Sequence, residues 1–375
     1  MRRLNDAGTD LPPLSVTKDR GVVLQSEKYN KRIATDPRKY LVAKPGEFVY
    51  DAMSLYYGAI GRVTQAAPGL VSPDYVLFEV DDSVDHDFLQ HLFRSDVLHD
   101  TYESLAEGGN QHGKRRRIYW SVFESIRVRL PPLDEQRRIA TLLAAIDAAV
   151  VADTNLERAL IDFRRRLMDH LFEGAVSAGR TAVLADVAVV QTGIAKSKAN
   201  VGAGKTVPYL SVANVKDGLL DLALVKSIDV DDRAAQRFAL RDRDVLFCEG
   251  GDADKVGRGT IWRSEIPGCL HQNHVFAVRT DRSRLLPEFL DYYRATTRGR
   301  RYFLDAAKQT TNLASINSSQ LRAMPVPVPA VGVQEEVVRA IAALDARLEV
   351  QRAVHAALFD VKKAVASRLL QGESP

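Results

Sequence analysis

The sequence predicts an α+β fold built from two copies of one unit, each a mixed globule followed by a long helix, with the two helices pairing as an antiparallel coiled coil. Three observations predict it. Residues 131–174 align without a gap on residues 329–372, at a constant offset of 198. Pro131, Gln136, Asp147, Leu160, Asp162, Leu171 and Gly174 recur as Pro329, Gln334, Asp345, Leu358, Asp360, Leu369 and Gly372. In both segments the apolar residues return every three or four positions, the period of one helical stripe. The stretches before them instead carry short β-rich runs between turn residues. A period this long is not a solenoid repeat, whose units run roughly 20–50 residues.

The first globule, 1–130, is expected to hold strands at 47–50 and 75–80 and a short helix at 87–93. A Pro-bounded strand at 126–130 should close it. The register of the duplication reaches back into it, where Tyr40-Leu41 and Phe48 meet Phe238-Ala239 and Leu246. The helix at 131–174 follows. Pro131-Pro132 blocks its extension backwards, Asp134 is a good N-cap, and Gly174 is expected to stop it. Its stripe includes Ile139, Leu143, Ile146, Leu156, Leu160, Phe163 and Leu167. The second globule, 175–328, repeats the scheme with strands at 209–212, 244–248 and 275–278, a helix at 288–293 and a closing strand at 324–328. The last helix, 329–375, carries the stripe Val337, Ile341, Leu344, Leu348, Val354, Leu358 and Val361. Each helix should run about 38 residues, or roughly 57 Å. A stripe close to 3.5 residues predicts that they pair. The alternative is that each serves only as the core helix of its own globule.

Composition narrows the function. Hydrophobic content of 46% and charged content of 27% over 375 residues fit two or three soluble domains. Two cysteines, Cys248 and Cys269, make neither a zinc set nor a disulfide framework, which suits a reducing cytoplasm. No uninterrupted apolar run of 18 residues and no signal-peptide pattern is found, so membrane insertion is not expected. A net charge of +4 points only weakly to a polyanion. Three motifs are rejected. Gly202-Ala203-Gly204-Lys205-Thr206 looks like the tail of a P-loop, but Ala199 stands where the phosphate cradle needs glycine. Ser72-Pro73-Asp74-Tyr75 carries an acid at the third position, where an amino-methyltransferase tetrapeptide has proline, and Glu79 lacks the lysine of a nuclease site. The eight histidines show no metal-ligand spacing. No catalytic residue, metal or cofactor is therefore expected.

Leu130-Pro131-Pro132-Leu133-Asp134-Glu135-Gln136-Arg137-Arg138-Ile139 resembles the start of the conserved helix in the specificity subunit of Type I restriction-modification enzymes. Pro329-Ala330-Val331-Gly332-Val333-Gln334-Glu335-Glu336-Val337 is a degraded copy. Lys44-Pro45-Gly46-Glu47-Phe48-Val49-Tyr50 and Asp242-Arg243-Asp244-Val245-Leu246 resemble segments of that family's two target-recognition domains. The resemblance covers nearly the whole chain. It implies a DNA-recognition subunit without catalysis, working in the cytoplasm in DNA methylation, restriction and phage defence. Each recognition domain would read one half of a bipartite double-stranded site. The helices would hold the halves apart and dock two modification (methyltransferase) subunits, with restriction (translocase and nuclease) subunits completing the complex. One departure stands out. Only 13 residues precede Leu14-Ser15-Val16, whereas Leu210-Ser211-Val212 follows some 25 further residues of its own domain. A shortened first domain or a misplaced start codon is expected. The rival readings are a coiled-coil scaffold and a standalone methyltransferase or nuclease, the latter disfavoured by the missing catalytic motifs.

Within that architecture the DNA-binding candidates are the cationic run Lys114, Arg115, Arg116 and Arg117 beside Tyr119, which suits phosphate contacts and guanine edges. In the second domain they are Lys308, Gln309 and Asn312, then Lys196, Lys198 and Lys205 in a glycine-containing loop, and Arg258 between two glycines. The candidates for the spacer helices and partner docking are Leu133, Gln136, Ile139, Leu143, Ile146 and Leu160, with Val337, Ile341, Leu344 and Leu358.

Overall fold

The computed structural model describes residues 3–28, 36–106, 116–195, 204–251, 255–309 and 314–371. It divides into two compact units, 1–155 with 353–375 and 156–352. Each unit therefore contains a globule, one end of its own long helix and the opposite end of the other.

In unit 1 a hairpin of Leu14–Thr17 and Gly21–Leu24 and a pair of Leu41–Ala43 with Gly69–Val71 lie beside a three-stranded antiparallel sheet. The sheet is ordered Ile60–Arg62, Phe48–Asp51, Tyr75–Phe78. The helices His86–Arg94 and His99–Leu105 cover it. The core is aromatic, with Phe48, Tyr50, Phe88 and Tyr102 fully buried. Ile139 and Leu143 of the first long helix and Leu369 and Leu370 of the second complete it.

Unit 2 repeats this order and extends it. Its central sheet runs Gly259–Ile261, Val245–Cys248, Val275–Thr280, Ala188–Thr192. Phe247, Phe289 and Phe303 fill the core, together with Phe172 from the first long helix and Ile341 from the second. Lys205–Leu210 pairs antiparallel with Lys226–Val230 and parallel with Leu270–His271, and Arg180–Val183 pairs with Pro325–Val328. Cys248 and Cys269 are free and fully buried. Burial pushes both thiols up, Cys269 to about 12, so neither offers a thiolate.

The duplication shows as one repeated local device. Glu47 and Asp244 are buried acids, each accepting from the backbone N–H three residues earlier, Lys44 and Arg241, at 2.8 Å. Each follows a residue with positive φ, Gly46 at 89° and Arg243 at 65°. This match places Phe48 on Val245, one residue away from the Leu246 predicted by the constant offset. A single-residue length difference between the globules accounts for the slip.

The long helices are longer than predicted, Leu133–Ala178 and Val331–Gln371, of 46 and 41 residues. Asp134 is not an N-cap but lies in the first turn, and the helix continues past Gly174. Phe172 and Ala175 are buried on either side of that glycine and anchor the last turn. That outweighs the roughly 1 kcal/mol that a helical glycine costs. The end at Gly372 lies outside the described residues. In unit 1 the helices pair antiparallel through Lys362–Asp147 at 2.5 Å and His355–Asp153 at 2.7 Å. In unit 2 they pair through Arg164–Asp345 and Arg352–Glu157. The reading in which each helix serves only its own globule is thereby set aside. By length and composition alone the first helix could cross a membrane. The expectation of no such segment rested on uninterrupted apolar runs and missed its alanine-rich middle, which carries the paired Asp147 and Asp153.

The predicted strand at 126–130 does not form, whereas its counterpart Pro325–Val328 does. The difference is a partner. Pro325–Val328 has Arg180–Val183 to pair with, and no strand pairs with 126–130 among the described residues.

Gln136 and Gln334 fasten each helix start to its globule. Gln136 Nε2 donates to the Pro131 carbonyl at 2.8 Å, and its Oε1 accepts from Asp85 N at 2.9 Å. Gln334 Nε2 donates to Pro329 O and Arg284 O, and its Oε1 accepts from Leu286 N at 2.8 Å. Both side chains are buried, so water cannot replace them. Gln334→Leu should cost unit 2 on the order of 2 kcal/mol, because it orphans a buried N–H and two carbonyls. Urea unfolding checks this, and a loss within error of zero would show that solvent reaches those groups.

Candidate nucleic-acid interface

In unit 1 the described end of the cationic run sits beside an aromatic shelf. Arg116 lies over the Tyr56 ring at 4.8 Å and bonds to the Glu103 carbonyl and carboxylate. Arg117 stands 3.9 Å from Asp74 and 3.6 Å from Met53 Sδ. Tyr119 and Trp120 are about half exposed, as is Tyr57. Arg116 and Arg117 are thus already held in place, and the rings beside them present flat surfaces on which a base or sugar could lie. The sequence did not single out Tyr56 and Tyr57, because nothing in their spacing ties them to a run 60 residues away. Lys114 and Arg115 lie outside the described residues.

In unit 2 the candidates come from separate elements. Lys308–Gln309 is a short strand paired with Ala314–Ser315, which also pairs with Gly250–Gly251. Asn312 lies outside the described residues, as do Lys196 and Lys198. Lys205 is exposed and pairs with Asp232 at 3.0 Å. Arg258 is corrected to a structural role. Its guanidinium turns inward and donates to the Val212 carbonyl at 2.9 Å, with Nε buried. Next to the Gly250–Gly251 strand, the exposed His274 bonds to Glu249, and the half-buried Asn273 side chain lies against it. These polar groups escaped the sequence reading because they flank an apolar strand. Among the described residues no cluster of side chains could hold a metal ion.

The docking candidates divide. Gln136, Ile139, Leu143, Val337 and Ile341 are buried within their own units and cannot meet a partner. Leu133, Ile146, Leu160, Leu344 and Leu358 are half-buried. The residues that do face solvent include part of the predicted inner stripe: Leu156, Ile161 and Phe163, and Val354, Phe359 and Val361, each between 44% and 55% exposed. These are equivalent residues at the offset of 198.

No family model matches the chain. It is 22% identical over 333 residues to the Type I restriction enzyme EcoKI specificity subunit of Escherichia coli (strain K12), covering 81% of this chain and 68% of that protein. It is 24% identical over 311 residues to the Type I restriction enzyme StySPI specificity subunit of Salmonella potsdam, covering 76% and 65%. The chain spans about two thirds of the length of these curated relatives. A solved structure described as the structural basis of complex assembly and conformational transition of the type I R-M system matches all of this chain and 95% of its own, with a TM-score of 0.61 at 16% identity. That likeness shows the fold. With the duplicated unit, the paired helices and the helix-start motif, the chain is similar over most of its length to Type I restriction enzyme specificity subunits.

Proposed function

We propose that the chain is the DNA-reading subunit of a Type I restriction-modification complex, working in the cytoplasm without catalysis or cofactor of its own. Each globule reads one half of a bipartite double-stranded site, and the helices recruit two modification subunits, with restriction subunits joining them. The observation that carries the reading is the exposed apolar set that occurs twice, Leu156, Ile161 and Phe163 with Val354, Phe359 and Val361. Large apolar side chains left exposed at equivalent positions suit protein interfaces, and two equivalent sets suit two identical partners. Phe163→Asp and Phe359→Asp should each remove one modification subunit from the complex, and the double variant both. Native mass spectrometry of the reconstituted complex counts them. Two subunits retained by the double variant would place docking elsewhere.

The DNA side has its own test. Arg115→Ala, Arg116→Ala and Arg117→Ala together should weaken binding and flatten its salt dependence, since each phosphate contact contributes a slope of about 0.9 through counterion release. Gel shifts across a salt series read it. An unchanged slope would show that the run is solvated surface. Addition of the modification partner should yield a methylated bipartite motif that the chain alone never produces.

A further inference from the structure

The two buried glutamines also fix which residues of the globules correspond. Gln136 accepts from Asp85 N and Gln334 from Leu286 N, so the helices His86–Arg94 and Pro287–Ala295 match with His91 on Tyr292. On the long helices the offset of 198 puts Asp147 on Asp345 and Arg164 on Lys362. These residues meet in two equivalent triads. Each joins an aspartate of one long helix, a cation of the other and a ring from the globule helix.

In unit 2 the triad is closed. Arg164 grips Asp345 with Nε and with Nη2, the latter at 3.2 Å. Tyr292 Oη donates to Asp345 Oδ2 at 2.9 Å, and the Arg164 guanidinium stands 5.9 Å from the Tyr292 ring centre. Burial and then Asp345 push the Tyr292 hydroxyl up, so it remains a donor at neutral pH. In unit 1 the triad is loose. Lys362 Nζ stands 2.5 Å from Asp147 Oδ1, yet among the described residues that buried oxygen has no partner in hydrogen-bond geometry. His91 Nδ1 is 3.8 Å from Asp147 Oδ2, beyond hydrogen-bond reach.

We propose that the two triads are positioning residues for bipartite reading: each fixes the angle at which its globule stands on its own stretch of the helix pair, firmly in unit 2 and loosely in unit 1. The inference rests on the DNA-reading function proposed above. Apolar burial is non-directional and does not by itself set an angle. Polar attachments do. Asp147 and Asp345 each lie 11 residues beyond the glutamine that fastens the same helix start. Two attachments about 16 Å apart along one helix fix a direction that one cannot. On DNA a spacer wrong by one base pair displaces a half-site by ~3.4 Å and turns it by about 35°. A firmly held globule misses such a site, and a loosely held one reaches it.

Unit 1 is also sensitive to pH. Burial holds the His91 imidazole below its usual 6.5, against the raising effect of Asp147. The charges facing it are Asp147 and Lys362 of the long helices and Arg94 and Asp87 of its own helix. Arg62 of the neighbouring strand pairs with Asp87, and Asp96 pairs with Lys363. A histidine with a lowered value contributes stability that is fully present above 6.5 and is lost as the pH falls from there through its folded value. Acid should therefore loosen this triad further.

The test uses the full chain reconstituted with its modification partner, on duplexes that carry both half-sites with the native spacer or one base pair more or less. The readout is the ratio of off-spacer to native-spacer methylation, which a general loss of folded protein leaves unchanged. Tyr292→Phe keeps the ring and drops the hydroxyl. It should raise the ratio by about fivefold, the shift that loss of one hydrogen bond to a charged group releases, with both half-site sequences kept. In the wild type the ratio should rise between pH 7 and about pH 5.5, and His91→Gln, which cannot titrate, should abolish that rise. His91→Tyr with Lys362→Arg gives unit 1 the residues of unit 2 and should bring the ratio below that of the wild type. An unchanged ratio in Tyr292→Phe, or a rise with acid that survives His91→Gln, would overturn the proposal. A wild-type complex that methylates no bipartite site would instead overturn the DNA-reading function, and the proposal with it.

Discussion

Arg294→Ala should cost unit 2 about 3–5 kcal/mol, the range for removing one partner from a buried charge cluster. Arg294 is 3% exposed and donates to Asp291 at 2.7 Å, to Asp217 at 2.6 Å and to the Gly259 carbonyl. Its loss leaves two carboxylates and a carbonyl facing an empty space. Burial lifts the Asp291 carboxyl above its usual value even with Arg294 in place. Burial pushes Asp217 the same way, but Arg294 and Arg300 together bring it below the usual range. That lowered carboxyl contributes stability that is present above its unfolded value of about 3.8 and is lost as the pH falls through its folded value. In the variant the carboxylates gain by becoming neutral. The gap between wild type and Arg294→Ala should therefore narrow toward pH 4. Arg300→Ala is the control: its side chain is half exposed, and its loss should cost less than ~1 kcal/mol. Denaturant melts at pH 7 and pH 4.5 read all three. A loss below ~1 kcal/mol for Arg294→Ala would show that water enters the cluster and satisfies it.

Nothing in the sequence marks Arg294 as buried. It lies four residues before a run, Arg298, Arg300 and Arg301, that reads as a solvated cationic surface. Burial of a charge depends on what other elements bring to it, here Asp217 from 77 residues away. The duplication was legible because aligned identities need no tertiary information. The helix ends were not, since Gly174 is tolerated only because Phe172 and Ala175 are held by the core. The strand at 126–130 was misread for a related reason: its composition suits a ladder, but among the described residues a neighbour that completes the ladder is found in the second unit and not in the first. The stripe was legible as a stripe and not as an interface. Leu143 and Phe163 obey the same period, yet one is 2% exposed and the other 52%. A single helical period cannot say which part of a wide apolar face meets the globule and which is left outside. Five of the twelve predicted DNA contacts, Lys114, Arg115, Lys196, Lys198 and Asn312, lie outside the described residues.

The largest functional effect should come from the paired helices. If they set the spacing between the two half-sites, their length is a ruler. The first helix is 46 residues, roughly 69 Å at ~1.5 Å per residue. The antiparallel pairs Lys362–Asp147, His355–Asp153, Arg352–Glu157 and Arg164–Asp345 define which positions oppose each other. Insertion of four residues after Ala152 and four after Ala356 lengthens both strands of the pair by about one turn, ~6 Å, while leaving those partners in register. Each half-site should stay the same, because neither globule is touched. The nonspecific spacer between them should grow by about two base pairs, at ~3.4 Å each. The insertion after Ala152 alone should behave differently. It shifts one helix against the other, so the pairs on one side of the insertion are lost and no bipartite motif should be read. Leu156→Pro should have the same outcome through a kink costing ~3 kcal/mol or more. Methylome sequencing of hosts carrying each variant with its modification partner decides the matter. A double-insertion variant that still methylates the original spacer would assign the spacing to the partner subunits, and an active single-insertion variant would show that the register of the pair is not what holds the half-sites apart.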